Sequence, residues 1–308
     1  MNLIDQVISA ESMLKFSNAE NTFYPFGYNA DTASGSISYK LRGQSGNQLF
    51  PLLLSSYLAF KNNLKINYQK NRLLDLKIPS LDVDPSVTRQ PVHHINDDYT
   101  NRDIILPTAY YQNSRIFNSI KDDLVNHIID IPNMTLNTED VAMHVRLDGF
   151  QHSGKESSNI IHPSWYINIL NNLKFNRLYI VLDTFSGKVW KQDKNSYLSF
   201  FSDFNPIIVS SSEKNDFNFL RSFNTFISSN STFSWWCAFL SYGSNKFMPP
   251  YFEGAHSRLS DIDKSTVVDS NYNFIDLNDL TLYKKSEKYI QDRLAYIPDN
   301  SKQLPIYL

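Results

Sequence analysis

Two adjacent tryptophans follow a run of hydroxyl and amide side chains in Phe226-Ile227-Ser228-Ser229-Asn230-Ser231-Thr232-Phe233-Ser234-Trp235-Trp236. Phe226-Ile227 has the apolar character of the end of a buried strand. Ser228 to Ser234 then supply N–H and O–H donors where a parallel strand would give way to a helix. In open α/β sheets ligands sit at that edge, and phosphate groups favour helix N-termini. The plainer reading is a Ser/Thr-rich turn with an N-cap and a tryptophan-anchored helix. Local physics leaves both open.

Three further loops carry groups of the same kind. In His144-Val145-Arg146-Leu147-Asp148, a strand would point His144 and Arg146 to one side. An arginine at the C-terminal edge of a strand can fork onto a diphosphate, and histidine can add a donor. An ion pair between Arg146 and Asp148 is the structural alternative. Asp183, directly after the apolar run Leu178 to Leu182, suits hydrogen bonds from a ribose or a base edge. It suits a helix cap equally well. Arg42-Gly43-Gln44-Ser45-Gly46-Asn47-Gln48 places two glycines and two amide side chains after a strand, without the spacing of a phosphate-binding P-loop.

Other chemistries find little purchase. Asp82-Val83-Asp84 and Asp261-Ile262-Asp263 each pair carboxylates two apart, but neither follows an apolar strand, so they read as surface loops. His93-His94 lacks partners at metal-ligand spacing. There is no Gly-x-Ser-x-Gly elbow, and the lone Cys237 reads as a packed thiol.

The elements around these loops alternate. Ser36 to Leu41 reads as a strand, and Gln48 to Asn62 as a helix with Pro51 in its first turn. Leu64 to Tyr68 closes one βαβ unit. Ile116 to Ile129 reads as a helix, and Ile131-Pro132-Asn133 as a linker. Val141 to Val145, Leu178 to Leu182, Pro206 to Val209, Thr225 to Ile227 and Lys246 to Met248 read as buried strands. Helices are expected from Pro163 to Leu173, ending at Ser222, from Phe233 to Leu240, and from Ser286 to Tyr296. This alternation predicts an α/β fold with a doubly wound parallel sheet.

The 308 residues suffice for two domains and a core that needs no staple. One cysteine permits no internal disulfide and fits a reducing, cytoplasmic setting. A net charge of −2 with no basic run argues against nucleic acid. No apolar stretch reaches the roughly 20 residues of a membrane span. The N-terminal residues lack the pattern of a signal peptide. Peripheral membrane contact stays open.

Taken together, the loops resemble glycosyltransferase family 11, the α-1,2-fucosyltransferases. The signature Gly-x-x-Gly-Asn-Gln stands here as Gly43 to Gln48. The signature Ser-Asn-Ser-Thr-Phe-Ser-Trp-Trp-x-Ala-x-Leu stands as Ser229 to Trp236 with Ala238 and Leu240. The middle signature His-x-Arg-Arg-Gly-Asp-Tyr keeps His144 and Arg146, but has Leu147 for the second arginine and Asp148-Gly149 in reversed order.

The resemblance implies a GT-B fold, two Rossmann-like doubly wound domains facing across a cleft. Residues 36–138 would form the acceptor-side domain and 139–275 the nucleotide-binding domain. Residues 1–35 and 276–308 would flank them as an extension and a tail. It implies transfer of L-fucose from GDP-β-L-fucose to a galactose hydroxyl of an oligosaccharide or glycoconjugate, with inversion. Arg146 would neutralise the leaving phosphate, with Asn230, Ser231, Thr232, Phe233 and Ser234 around the donor. His144 would support that site, Asp183 would contact the nucleoside, and Asp148 is the candidate base. Gly43, Gly46, Asn47 and Gln48 would line the acceptor side. No cofactor and no metal are expected. Leu147 keeps two other classes open, an enzyme for another nucleotide sugar and a non-catalytic glycan-binding homologue.

Overall fold

A computed structural model of the chain describes residues 7–15, 28–109, 111–112, 114–146, 161, 163–182, 195, 197–249 and 273–274. These residues pack as two compact units that divide between Asn133 and Met134, with residues 7–15 belonging to the second. Both units are mixed α/β and are built on parallel sheets.

In the first unit, β1 (Ser36–Ser38) runs into α1 (Ser45–Asn62) and then β2 (Lys65–Ile66). After β3 (Asp75–Leu76) come β4 (Gln90–Pro91) and β5 (Asp103–Ile105), and the sheet order is β2-β1-β5-β4, all parallel. α1 starts at Ser45, not at Gln48. Gly43, at φ +73°, turns the chain, and the Gln48 amide already donates to the Gln44 carbonyl at 3.0 Å. Pro51 therefore lies inside α1 rather than in its first turn.

The helix expected over 116–129 is broken. It forms α2 (Ser114–Ser119), α3 (Lys121–Asp123) and a π-turn at Leu124–Ile128. The chain then enters β6 (Ile129–Asp130), which pairs antiparallel with β3.

The second unit carries the larger sheet. Its strands are β7 (Asn137–Val145), β8 (Leu178–Leu182), β9 (Ile207–Val209), β10 (Phe223–Ile227), β11 (Asn245–Met248) and β12 (Asn273–Phe274). Their order is β12-β11-β10-β7-β8-β9, and every pairing is parallel. The chain thus builds outward from β7 on one side, then crosses over and builds outward from β10 on the other. Strand order reverses between β7 and β10, and their C-terminal ends open the crevice where such sheets bind ligands.

Both faces of this sheet are covered. Val141, Met143 and Val145 of β7 join Trp165, Tyr166, Ile169 and Leu170 of α4 (Pro163–Asn171) in one core. The alternate residues Ala142 and His144 point the other way, toward α5 (Glu213–Arg221) and α6 (Thr232–Phe239). Burial on both faces is why these strands read as unbroken apolar runs. The N-terminal residues add a parallel bridge from Ile8 to Val209.

The turn into β1 is tightly constrained. Gly35 has φ +72°, and a Cβ there would lie 2.4 Å from the Arg102 carbonyl oxygen. The neighbouring Ser36 amide donates to that same carbonyl at 3.1 Å. Gly35→Ala should lower stability by about 1–3 kcal/mol, seen as an earlier urea midpoint at unchanged slope. An unchanged midpoint would contradict the constraint.

Candidate active site

The backbone pairing of β7 with β10 reaches Met143 opposite Ile227. Beyond it the pairing continues through side chains. His144 Nδ1 lies 2.8 Å from Ser229 Oγ. Arg146 Nη1 donates to Ser231 Oγ at 3.3 Å, a long hydrogen bond just past the usual range of about 2.7–3.2 Å. Residues two apart in an extended chain share a face, so the histidine and arginine meet two hydroxyls in turn.

The loop that presents those hydroxyls is buried and internally bonded. Ser228 N–H donates to the Phe247 carbonyl of β11 at 2.8 Å, and Ser228 Oγ–H to the Ser229 carbonyl at 2.8 Å. Ser229 N–H donates to Ser234 Oγ at 3.1 Å. Ser234 is fully buried, so its hydroxyl oxygen builds the loop. Among the hydroxyls named at sequence level, Thr232 is half-buried, while Ser231 is buried against Arg146.

Ser231 occupies the N-cap position of α6 yet makes no side-chain cap bond. A missing cap costs about 1 kcal/mol. Burial of large side chains such as Trp235 and Trp236 is worth roughly 2–3 kcal/mol each, so α6 stays seated without it. The Ser231 hydroxyl is thereby left for Arg146. The first amide to bond within the helix is Trp235, to the Ser231 carbonyl at 2.9 Å. The amides of Thr232, Phe233 and Ser234 precede it and have no partner inside the helix. These amides, the helix dipole and the Arg146 guanidinium make this edge electropositive.

His144 stands behind the arginine. It is buried, its ring lies 5.2 Å from that of Phe233, and Tyr166 Oη–H donates to its carbonyl at 3.4 Å. Burial, and secondarily the charge of Arg146, pushes its pKa down to about 3. The imidazole is neutral at physiological pH and ties β7 to the serine loop. Charging it would put a second cation beside Arg146 in a dry site.

In the first unit, Gln48 Nε2 donates to the Gly43 carbonyl at 2.9 Å and closes the turn before α1. Gln112 Nε2 donates to Asn47 Oδ1 at 3.0 Å, fixing that side chain. Gly46 is buried in the first turn of α1. Arg42 to Gln44 thus form the turn expected from the sequence, while Ser45 to Gln48 form the first turn of α1.

Asp148, Asp183, Asp261 and Asp263, and the helix expected over 286–296, lie outside the described residues. Cys237 is fully buried in α6, where burial raises its thiol well above the ordinary value, as a packed, unreactive cysteine requires. Among the described residues no three of His, Cys, Asp and Glu group as a metal site would need, and no helix is long and apolar enough to cross a membrane. Sequence reasoning named Ser229 in the donor run and the late signature without giving it a role of its own, and it missed Tyr166. The signal for Ser229 was its place two residues before Ser231, matching the step from His144 to Arg146.

A family-wide sequence profile described as glycosyl transferase family 11 matches residues 51–264. The matched span contains His144, Arg146 and Ser229 to Trp236, and begins after Gly43 to Gln48. No curated protein and no solved structure matches the chain.

The His144 arrangement predicts a pH dependence. The folded pKa, about 3, lies below the ordinary 6.5. The unfolded chain therefore binds the extra proton across that window, and stability falls as pH drops from 6.5 toward 3. One such proton contributes a slope of roughly 1.4 kcal/mol per pH unit. His144→Asn, which keeps a partner for Ser229, should show that much less acid sensitivity in unfolding titrations. Identical pH profiles for the two proteins would contradict the neutral, buried imidazole.

Proposed function

The chain belongs to glycosyl transferase family 11, and on that premise we propose that it transfers L-fucose from GDP-β-L-fucose to a glycan hydroxyl. The linkage is α-1,2, on galactose. The observation that carries this reading is the Arg146–Ser231 pair at the reversal of strand order, with the N-terminus of α6 beside it.

The acceptor oxygen attacks the anomeric carbon of fucose from the face opposite GDP. The bond from that carbon to the β-phosphate oxygen breaks, and its electron pair leaves with GDP. The acceptor proton passes to a base, for which Asp148 is the candidate. Configuration at the anomeric carbon inverts. Negative charge grows on the β-phosphate in the transition state, and fixed donors at that place act most strongly when water is excluded. Arg146 carries the full charge, and the amides of Thr232 and Phe233 carry partial ones. Ser231 holds the guanidinium, and His144 and Ser234 hold Ser229 in the loop that presents Ser231. A nucleoside contact by Asp183 belongs to this reading.

So does a GT-B arrangement in which the first unit, with Gly43, Gly46, Asn47 and Gln48, serves the acceptor. A cytoplasmic setting goes with it, supported by the single cysteine. The charge stabilisation asks for no metal.

Leu147 favours one alternative. The resemblance places a second arginine there, and a chain with one fewer cation suits a different nucleotide-sugar donor. Turnover with GDP-fucose, GDP-mannose and UDP-sugars separates the two, and fucose transfer to a galactoside identified by mass spectrometry is the outcome expected.

Arg146→Ala should lower turnover by about 10²–10³-fold, the scale of losing one preorganised oxyanion donor, with the melting temperature unchanged. Near-normal turnover would remove Arg146 from the chemistry. Transfer should persist in excess EDTA, and a strict requirement for added Mn²⁺ would contradict the metal-free account.

A further inference from the structure

The first unit holds a cavity of its own, about 620 Å³ in volume, at the C-terminal ends of β1 and β2. Small-ligand sites run from about 300 to 1,000 Å³. Its polar lining includes Tyr39, Lys40, Asn67, Gln69 and Arg89, and none of the described residues that line it is acidic. Two of these side chains have a buried polar atom with no hydrogen-bond partner, Tyr39 Oη and Arg89 Nε.

Arg89 hydrogen-bonds to backbone carbonyls, with the Asp84 carboxylate close enough to feel its charge. Its Nη1 donates to the Val87 carbonyl at 3.0 Å, and its Nη2 donates to the Asp84 carbonyl. The nearby carboxylate of Asp84 accepts from Ser86 instead, from its amide at 2.8 Å and its hydroxyl at 2.7 Å. The guanidinium is thus oriented by backbone carbonyls, with Nε–H, a donor only, still unused. A charged donor left unpaired in a buried place is costly, and a negatively charged acceptor satisfies it best. Lys40, Asn67 and Gln69 are exposed at the rim, so a ligand reaches the cavity past one cation and two amides.

We infer that this cavity binds a saccharide bearing an anionic group, a carboxylate or a phosphate, which Arg89, Tyr39 and Lys40 hold while Asn67 and Gln69 meet the sugar hydroxyls. Its role as the acceptor site rests on the proposed transfer reaction, whereas the binding itself does not.

The test is calorimetric titration of the full chain, without any sugar nucleotide, with methyl β-D-glucoside, methyl β-D-glucuronide and glucose 6-phosphate. At least one anionic sugar should bind about tenfold or more tightly than the glucoside, the scale of one charge-assisted hydrogen bond. Preference for the glucuronide assigns a carboxylate, and preference for glucose 6-phosphate a phosphate. Arg89→Gln should abolish the preference, and Lys40→Gln and Tyr39→Phe should each weaken it severalfold. Equal affinity for all three probes overturns the inference. So does an anion preference that survives Arg89→Gln, or, should that variant unfold, one unchanged in both Lys40→Gln and Tyr39→Phe. Anion binding without fucose transfer would sink the proposed function and leave this site standing. Fucose transfer to neutral acceptors without anion preference would do the reverse.

Discussion

Beyond Met143 and Ile227 the backbone ladder between β7 and β10 stops, and side chains take over the pairing. His144 meets Ser229 and Arg146 meets Ser231, each rung stepping two residues along both chains. Parallel neighbours end at the same edge, so their last side chains lie within reach of each other. This continuation decides where the guanidinium stands. It also keeps the serine run from closing into an ordinary capped turn, because the hydroxyl at the cap position is drawn to Arg146 instead of to the helix.

The arrangement depends on packing that has no chemical role. Trp165 and Tyr166 fill one face beneath β7, and Trp235 and Trp236 seat α6 on the other. A loop buried as deeply as Ser228 to Ser231 is tolerable only with its polar groups paired, and its bonds to Phe247, Ser234 and His144 do that. The neutral imidazole fits the same logic. It bridges strand and loop without adding charge to that of Arg146.

The second unit was far more legible in the sequence than the first. Its strands are buried on both faces, so Leu178 to Leu182 stands out as an apolar run and matches β8 residue for residue. The polar start of β7, Asn137 to Glu139, gives no such signal, and the strand is longer than its apolar part. In the first unit β3 and β4 are two residues each, too short for periodicity to show. The break at Leu124–Ile128 arises from a local change of helical hydrogen bonding that side-chain spacing does not report. At the site, residue types marked Arg146 and the serine run separately. Their meeting followed only from the strand order, which puts β7 beside β10 although His144 and Ser229 lie 85 residues apart in the chain. The cavity above β1 and β2 was not legible, since Tyr39 and Arg89 come together only through the fold.

The central claim is that a nucleotide diphosphate sits at the reversal of strand order, against Arg146 and the start of α6. A crystal structure of the chain with GDP tests it most directly. The account predicts a β-phosphate oxygen within hydrogen-bond distance of the Arg146 guanidinium and of the amides of Thr232 or Phe233. GDP bound elsewhere, with Arg146 turned from its phosphates, would contradict it.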